Sequence, residues 1–337
     1  MLGERIATKE IRARLARGDA RAGTAALCLL LAVAYPFVFN DYLVRVGATI
    51  LMLGVMAESW NLIGGYAGYP SFGNAVFFGI GAYGGAIIME RANAPFPVAL
   101  LVGGAVTAVL AVIIGVPVLR LRGHYFAIAT LGVLSFMEQV VIVSERLTRG
   151  GAGIRLPFPS MDLQTFNELI YLVMLLILLA ATLFTYWMAH SKLGFGLIAI
   201  RENEVAARVM GVNTTLYKIA AFTASGLFTG LAGAAFAYWQ SYVDPPSVFS
   251  FDYNVLLVIM AFVGGAGTVL GPVLGAVVLG AIAEYLNSHV GERHLLVFGV
   301  VIVLTVIFAP NGLMEYITGK RGLSLGSLLA NIREHRV

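Results

Sequence analysis

The chain has 337 residues, of which 59% are hydrophobic and only 12% charged, against roughly 25% charged in an average soluble domain. With a mean hydropathy of +0.87, no water-soluble core could hide this much apolar surface, so lipid is the solvent for most of the chain. The net charge of +4 does not argue for nucleic acid as a partner, because Lys and Arg gather in loops on one side of a membrane protein.

In chain order, residues 1–21 carry Arg5, Lys9, Arg12, Arg14, Arg17 and Arg21 ahead of an apolar run at 22–39. Ala32-Val-Ala34 resembles a signal-peptide cleavage site. The apolar run continues past it and more follow, so 22–39 is read as a retained first span. Its Cys28, the single cysteine, excludes an internal disulfide and reads as a packing residue. Further segments of about bilayer length lie at 42–63, 72–89, 96–119, 125–143, 169–189, 216–239, 253–263, 270–286 and 295–309. The 253–263 segment is too short to cross alone unless it borrows Gly264-Gly-Ala-Gly267. The expectation is an all-α polytopic protein with about ten transmembrane helices, or eight with re-entrant pieces, and both termini cytoplasmic.

Charge placement supports the even count. With ten spans and an inside N-terminus, Arg45, Arg91, Arg146, Arg149, Arg155 and Arg293 fall outside, and the other 16 of the 22 Lys and Arg fall inside. This is the positive-inside bias of a correct topology. The map is then a basic cytoplasmic segment 1–21, a membrane domain 22–309 and a cytoplasmic tail 310–337. Its two long loops are 144–167 outside and 190–215 inside.

The inside loop is ordered in pattern. Val205, Val209 and Val212, with Ile198 further back, recur at helical spacing, while Arg201, Glu204 and Arg208 fall elsewhere on the wheel. Asn203 suits the cap of a second half, and Gly211 suits the left-handed residue that ends it. The pattern fits a short amphipathic helix on the inner membrane surface, either with a docking partner or without one.

Ala206-Ala207-x-x-x-Gly211 looks like a degenerate form of the cytoplasmic coupling loop of ABC importer permeases, with Val205 where the leading Glu belongs and Glu204 one residue early. The phrase from Gly196 through Arg201, Glu204, Ala206, Ala207, Arg208 and Gly211 to Asn213, followed by Lys218, resembles the LivM-type permease subunit of branched-chain amino acid ABC importers. So do Asn61-Leu-Ile-Gly-Gly-Tyr-Ala-Gly-Tyr-Pro-Ser-Phe-Gly-Asn74, Arg122-Gly-His-Tyr-Phe-Ala-Ile-Ala-Thr-Leu131 and Gly264-Gly-Ala-Gly-Thr-Val-Leu-Gly-Pro272. Together these cover most of residues 55–310.

The resemblance implies an ABC importer permease fold, with 22–309 as the permease domain, 144–167 a periplasmic loop and 190–215 the cytoplasmic coupling loop. It implies an inner-membrane subunit that partners a second, H-type permease subunit, two cytoplasmic ATPases and a periplasmic binding protein. Leucine, isoleucine or valine would be the solute, with urea, short amides or a sugar as alternatives within the class. In this reading the apolar face of the coupling helix stays seated. Ala206, Ala207 and Gly211 allow a partner to approach, and Arg201, Glu204 and Arg208 fix its register. No Gly-x-x-x-x-Gly-Lys-[Ser/Thr] loop is present in the sequence, so ATP would be bound by the partners and no cofactor is expected here.

The block 64–73 holds four glycines and Pro70 between apolar runs. Such irregular backbone is tolerated at membrane depth only inside protein or along a water-filled cavity. Ser71 and Asn74 therefore either contact the solute or merely furnish a tight turn. Glu58, Glu138 and Glu284 are acids within spans. A proton relay among them would suggest an ATP-independent secondary transporter, but they lie in separate segments without adjacent His, so pairing or pore lining is the preferred reading. Asn61, Tyr125 and Thr130 complete the candidate pathway residues. His124, His190, His289 and His294 lack ligand spacing, so no metal is expected, and no catalytic residues are found.

Overall fold

The structure, a computed structural model, describes residues 23, 26–157, 161–290, 299–300 and 312–317. The helix α1 (Ala26–Val38) leads to Asn40, whose side chain accepts the Leu43 amide and starts α2 (Asp41–Ile63). An irregular stretch then precedes α3 (Asn74–Ala92), α4 (Phe96–Val118) and α5 (His124–Val143). The short α6 (Glu145–Thr148) and β1 (Ile154–Arg155) lead to α7 (Leu163–Ala189) and α8 (Lys192–Val209). After α9 (Thr214–Gln240) come β2 (Tyr242–Val243), α10 (Pro245–Val248), α11 (Phe251–Gly264), α12 (Gly271–Val290) and α13 (Leu313–Ile317). Asp162, Ser191, Asn213 and Ser250 each cap the following helix through a side-chain oxygen, satisfying amides that the first helical turn leaves free.

Among the described residues, α2, α4, α5, α7, α9 and the stretch Pro245–Gly264 are long and apolar enough to cross a membrane. Nine of the expected apolar segments are helical, and the segment at 295–309 lies almost wholly outside the described residues. Two expectations are corrected. The short 253–263 segment gains its length at its start, where α10 with two prolines in its first turn precedes α11, rather than only from the glycines that follow. Cys28 is exposed on α1, because α1 packs through Tyr35, which stacks on Tyr171 of α7 at 5.3 Å, while Tyr171 donates to the Ala32 carbonyl.

The helices α2 and α9 form the buried centre, whereas α4 and α5 turn large apolar side chains such as Leu101, Ile113 and Phe136 outward. Between apolar helices in lipid, close packing rather than the hydrophobic effect decides what associates. That packing is tightest where α3, α4 and α9 meet. A Cβ on Gly81 would lie 2.5 Å from the Gly230 Cα, one on Gly103 would lie 2.7 Å from the Gly81 carbonyl oxygen, and one on Gly230 would lie 2.6 Å from Thr107 Cβ. On the other side α12 runs antiparallel to α2, with Ala276 beside Gly54, Ile50 beside Gly280 and Tyr42 hydrogen-bonded to Glu284.

The bundle therefore has two poles. The near pole gathers the 64–73 stretch, the α4–α5 turn, α8 and the 265–270 turn. The far pole gathers the starts of α2 and α11, the end of α9 and the cap formed by 144–157. Ile154 pairs with Val243 and Arg155 with Tyr242, which pins that cap to the α9–α10 junction.

Gly230→Val should lower the thermal midpoint in detergent sharply, by a cost of about 1–3 kcal/mol or more for overpacking a close contact. Gly132→Ala, at an exposed position where a Cβ meets nothing within 4 Å, should produce no loss.

Candidate functional site

At the near pole α8 lies across two helix breaks, at 64–73 and 265–270. Its first half is buried through Gly194, Gly196, Leu197 and Ile200, with the Tyr217 ring directly over Gly196. Asn203 leaves the helical conformation (φ −161°, ψ 104°). Its Oδ1 accepts from the amides of Val205 and Ala206, at 3.0 Å each, and so restarts the helix. Gly211, at φ 87°, ends it in the left-handed region, where the Val212 amide returns to the Ala207 carbonyl. The cap and the stop are those expected from the sequence.

Beneath α8 the two irregular stretches are joined by one side chain. Asn61 Oδ1 accepts from the Gly267 amide at 2.7 Å, and its Nδ2 donates to the Thr268 carbonyl at 2.8 Å. Arg201 of α8 donates to the Gly65 carbonyl at 3.1 Å. Gly68 carries φ +71°, and a Cβ there would lie 2.7 Å from Arg201 Cγ. The break is thus shaped to receive this arginine.

Glu204 is the junction. Tyr69 donates to Oε2 at 2.5 Å, Lys218 Nζ lies 3.0 Å from Oε1, and Arg122 and Arg208 each approach to 3.2 Å. Lys218 also donates to the Leu119 carbonyl and the Tyr69 hydroxyl, and stands 4.5 Å from the Tyr69 ring centre. The Glu204 and Lys218 side chains are 10% and 4% exposed, so Lys218 could not be left charged without this carboxylate. Burial alone would raise the Glu204 carboxyl, but the hydrogen bonds from Tyr69 and Lys218 and the charges of Lys218 and Arg122 hold it below the ordinary carboxylate range. The Tyr69 phenol is raised, first by burial and then by its bond to Glu204; it stays the donor.

This geometry overturns the expected face of α8 in its second half, although Ile198 and Val212 of that face do pack against the core. The polar Glu204 points into the bundle, while Val205, Val209 and Met210 are exposed at 58%, 81% and 83%. The reason is that Tyr69, Arg122 and Lys218 together offer the carboxylate more than the membrane surface offers the valines. Ala207 is buried, Ala206 and Gly211 are exposed, and Arg208 spans the edge between the two faces.

The remaining candidates separate into two groups. Ser71, Asn74 and Thr130 come together around the start of α3. Thr130 Oγ1 accepts from the Phe72 amide, Ser71 Oγ accepts from the Gly73 amide, and Asn74 Nδ2 donates to Ser225. Trp60 and Asn254, which sequence reading passed over, complete this solder by binding the Ser71 carbonyl and the Ala75 amide. Glu58 lies apart, fully buried in α2 with neither carboxyl oxygen hydrogen-bonded among the described residues. Tyr125 is 75% exposed at the start of α5. Of the other acids, Glu284 meets Tyr42 at the far pole, so the three span carboxylates do not gather. Tyr69 was also overlooked. Its signal was indirect: Lys218, at the start of an apolar span, demands a partner.

A polytopic bundle with broken helices locked beneath an ordered interhelical segment defines a membrane transport component. Residues 42–306 match the family described as branched-chain amino acid transport system / permease component. The high-affinity branched-chain amino acid transport system permease proteins LivM of Salmonella typhimurium and Escherichia coli are 30% and 29% identical over 312 residues, covering 85% of this chain and 73% of each relative. The ribose import permease protein RbsC of Escherichia coli is 26% identical over 131 residues, 37% of this chain and 41% of its own. The chain belongs to the branched-chain amino acid permease family and is an integral, multi-pass membrane protein.

At neutral pH Glu204→Gln should cost about 2 kcal/mol of unfolding stability, since it strands the buried Lys218. The lowered pKa means that Glu204's contribution is complete above the unfolded value and is lost as pH falls through the folded one. The gap in melting temperature between wild type and variant should therefore narrow below about pH 4.

Proposed function

We propose that this chain is one of two membrane-spanning subunits of an ATP-driven importer for leucine, isoleucine and valine in a bacterial inner membrane. The observation that carries the reading is α8 itself, bolted to the bundle through Glu204 and Arg201 while it exposes Val205, Val209 and Met210 outward. An apolar outward face on a locked helix is a docking surface rather than a free loop. Cytoplasmic ATPases that closed on ATP would push this face, and Glu204 would pass the displacement to the α2–α3 break, the α4–α5 turn and α9. The nucleotide then belongs to those partners, and this subunit carries no cofactor. A second permease subunit would cover the exposed flanks of α4 and α5, and a periplasmic binding protein would deliver solute to the far pole.

The near pole is the cytoplasmic one in this reading, in keeping with Arg122, Lys192, Arg201, Arg208 and Lys218 gathering there. An even span count, ten in our reading, is supported by the path of the chain. It leaves α12 at the far pole and resumes at Gly312, against Gly265 at the near pole. The choice of solute follows the LivM relatives, whose likeness covers 85% of this chain where that of the ribose permease covers 37%.

Val209→Arg or Met210→Asp should leave the protein inserted and folded, because both side chains are exposed, yet abolish solute uptake by the assembled importer while basal ATP hydrolysis continues. The check is the ratio of ATP hydrolysed to leucine accumulated in proteoliposomes. Unaltered uptake, or uptake that follows a proton gradient and ignores ATP, would remove the coupling assignment. Bulky replacement of Ala207, by contrast, should lower stability as well, since that residue is buried.

A further inference from the structure

The far pole holds a cavity of about 630 Å³ that none of the near-pole chemistry uses. One wall is a single helical stripe of α2, since Tyr42, Arg45, Thr49 and Met52 recur at three- and four-residue spacing. From Tyr42 to Leu53 this stripe runs about 16 Å along the helix. The other walls come from Phe236 and Trp239 of α9, Leu256 of α11 and Glu284 of α12. Of its lining, Tyr42, Arg45 and Thr49 are exposed, whereas Met52, Leu53 and Phe236 are buried and form an apolar floor.

Two opposite charges line this one cavity, yet no ion pair joins them. Glu284 accepts a hydrogen bond from Tyr42. Arg45 contributes its backbone carbonyl to Thr49, and its guanidinium has no hydrogen bond or ion pair among the described residues. Ionised groups in membrane spans face water or a partner that answers their charge. A group able to answer both carries an anion and a cation on adjacent atoms and an apolar tail to fill the floor. The volume falls within the roughly 300–1,000 Å³ of small-molecule sites.

We propose that this cleft is a binding site for a free α-amino acid with an aliphatic side chain. The solute carboxylate lies on Arg45, its ammonium on Glu284, and its side chain among Met52, Leu53 and Phe236. The site rests on the branched-chain amino acid reading above and deepens it. It gives the permease its own discrimination for the zwitterion, independent of any delivering protein, and it sits on the same helix whose other end, at Asn61, joins the two breaks.

The test uses the full chain in its assembled importer in proteoliposomes. With Cys28→Ser removing the single cysteine, Thr49→Cys supplies one thiol on the cleft wall, probed with a charged, membrane-impermeant methanethiosulfonate reagent. Leucine at about ten times its dissociation constant should slow modification roughly tenfold, whereas leucinamide and 4-methylpentanoate, each lacking one charge, should protect far less. Arg45→Gln should abolish the leucine protection. An introduced thiol that does not react without solute, that reacts equally fast with leucine, or that all three compounds protect alike overturns the site. Leucine uptake by the same vesicles separates the two claims: uptake without protection removes the cleft and leaves the transport reading standing, whereas protection without uptake does the reverse.

Discussion

One nearly buried carboxylate decides how the near pole is built. Glu204 accepts from a phenol and faces three cations drawn from α8 itself, α9 and the α4–α5 turn. A buried pair of this kind is not strong evidence of extra stability, because desolvation offsets much of the attraction. Its effect is on geometry. With Lys218 only 4% exposed, the second half of α8 cannot rotate without stranding a charge, so its orientation is fixed and its apolar side is forced outward.

The same pole solves a second constraint, the peptide groups released where α2 stops short of α3 and α11 short of α12. Polar backbone away from water must be paired. Asn61 pairs the two breaks with each other, Arg201 takes one freed carbonyl, and Trp60, Thr130 and Asn254 take the groups that lead into α3. These contacts belong to different helices, so a movement of α8 engages the whole pole. The far pole contrasts with it, holding a cleft lined by Arg45 and Glu284, which form no ion pair with each other among the described residues. The helix α2 spans both, with Asn61 at one end and Arg45 near the other. On the proposed function, this makes α2 the route by which the two ends influence one another.

Much of this was legible in the sequence because its signals are local. Apolar length located the helices, and four glycines with Pro70 marked the break after α2. Asn203 and Gly211 set the restart and end of α8 by backbone preferences that need no distant neighbour. The face that α8 presents was not legible, since it depends on Tyr69, Arg122 and Lys218, brought together from three places in the chain. Valine periodicity alone argued for the opposite orientation. Glu204 is turned inward to the bundle, where Tyr69, Arg122 and Lys218 hold it. Ser71, Asn74 and Thr130 were legible as polar residues beside a break, but their partners on α9 and the backbone could be seen only in three dimensions.

The account turns on Glu204 and Lys218 acting as one unit, and a double-mutant cycle on unfolding in detergent tests this most directly. Glu204→Gln leaves the buried Lys218 ammonium without its carboxylate and Lys218→Met takes the most buried cation from Glu204, whereas the double variant removes both charges together. The prediction is a coupling of about 1–3 kcal/mol, with the double variant well short of the sum of the singles. Strict additivity would contradict the account, because α8 would then be held by something other than this pair.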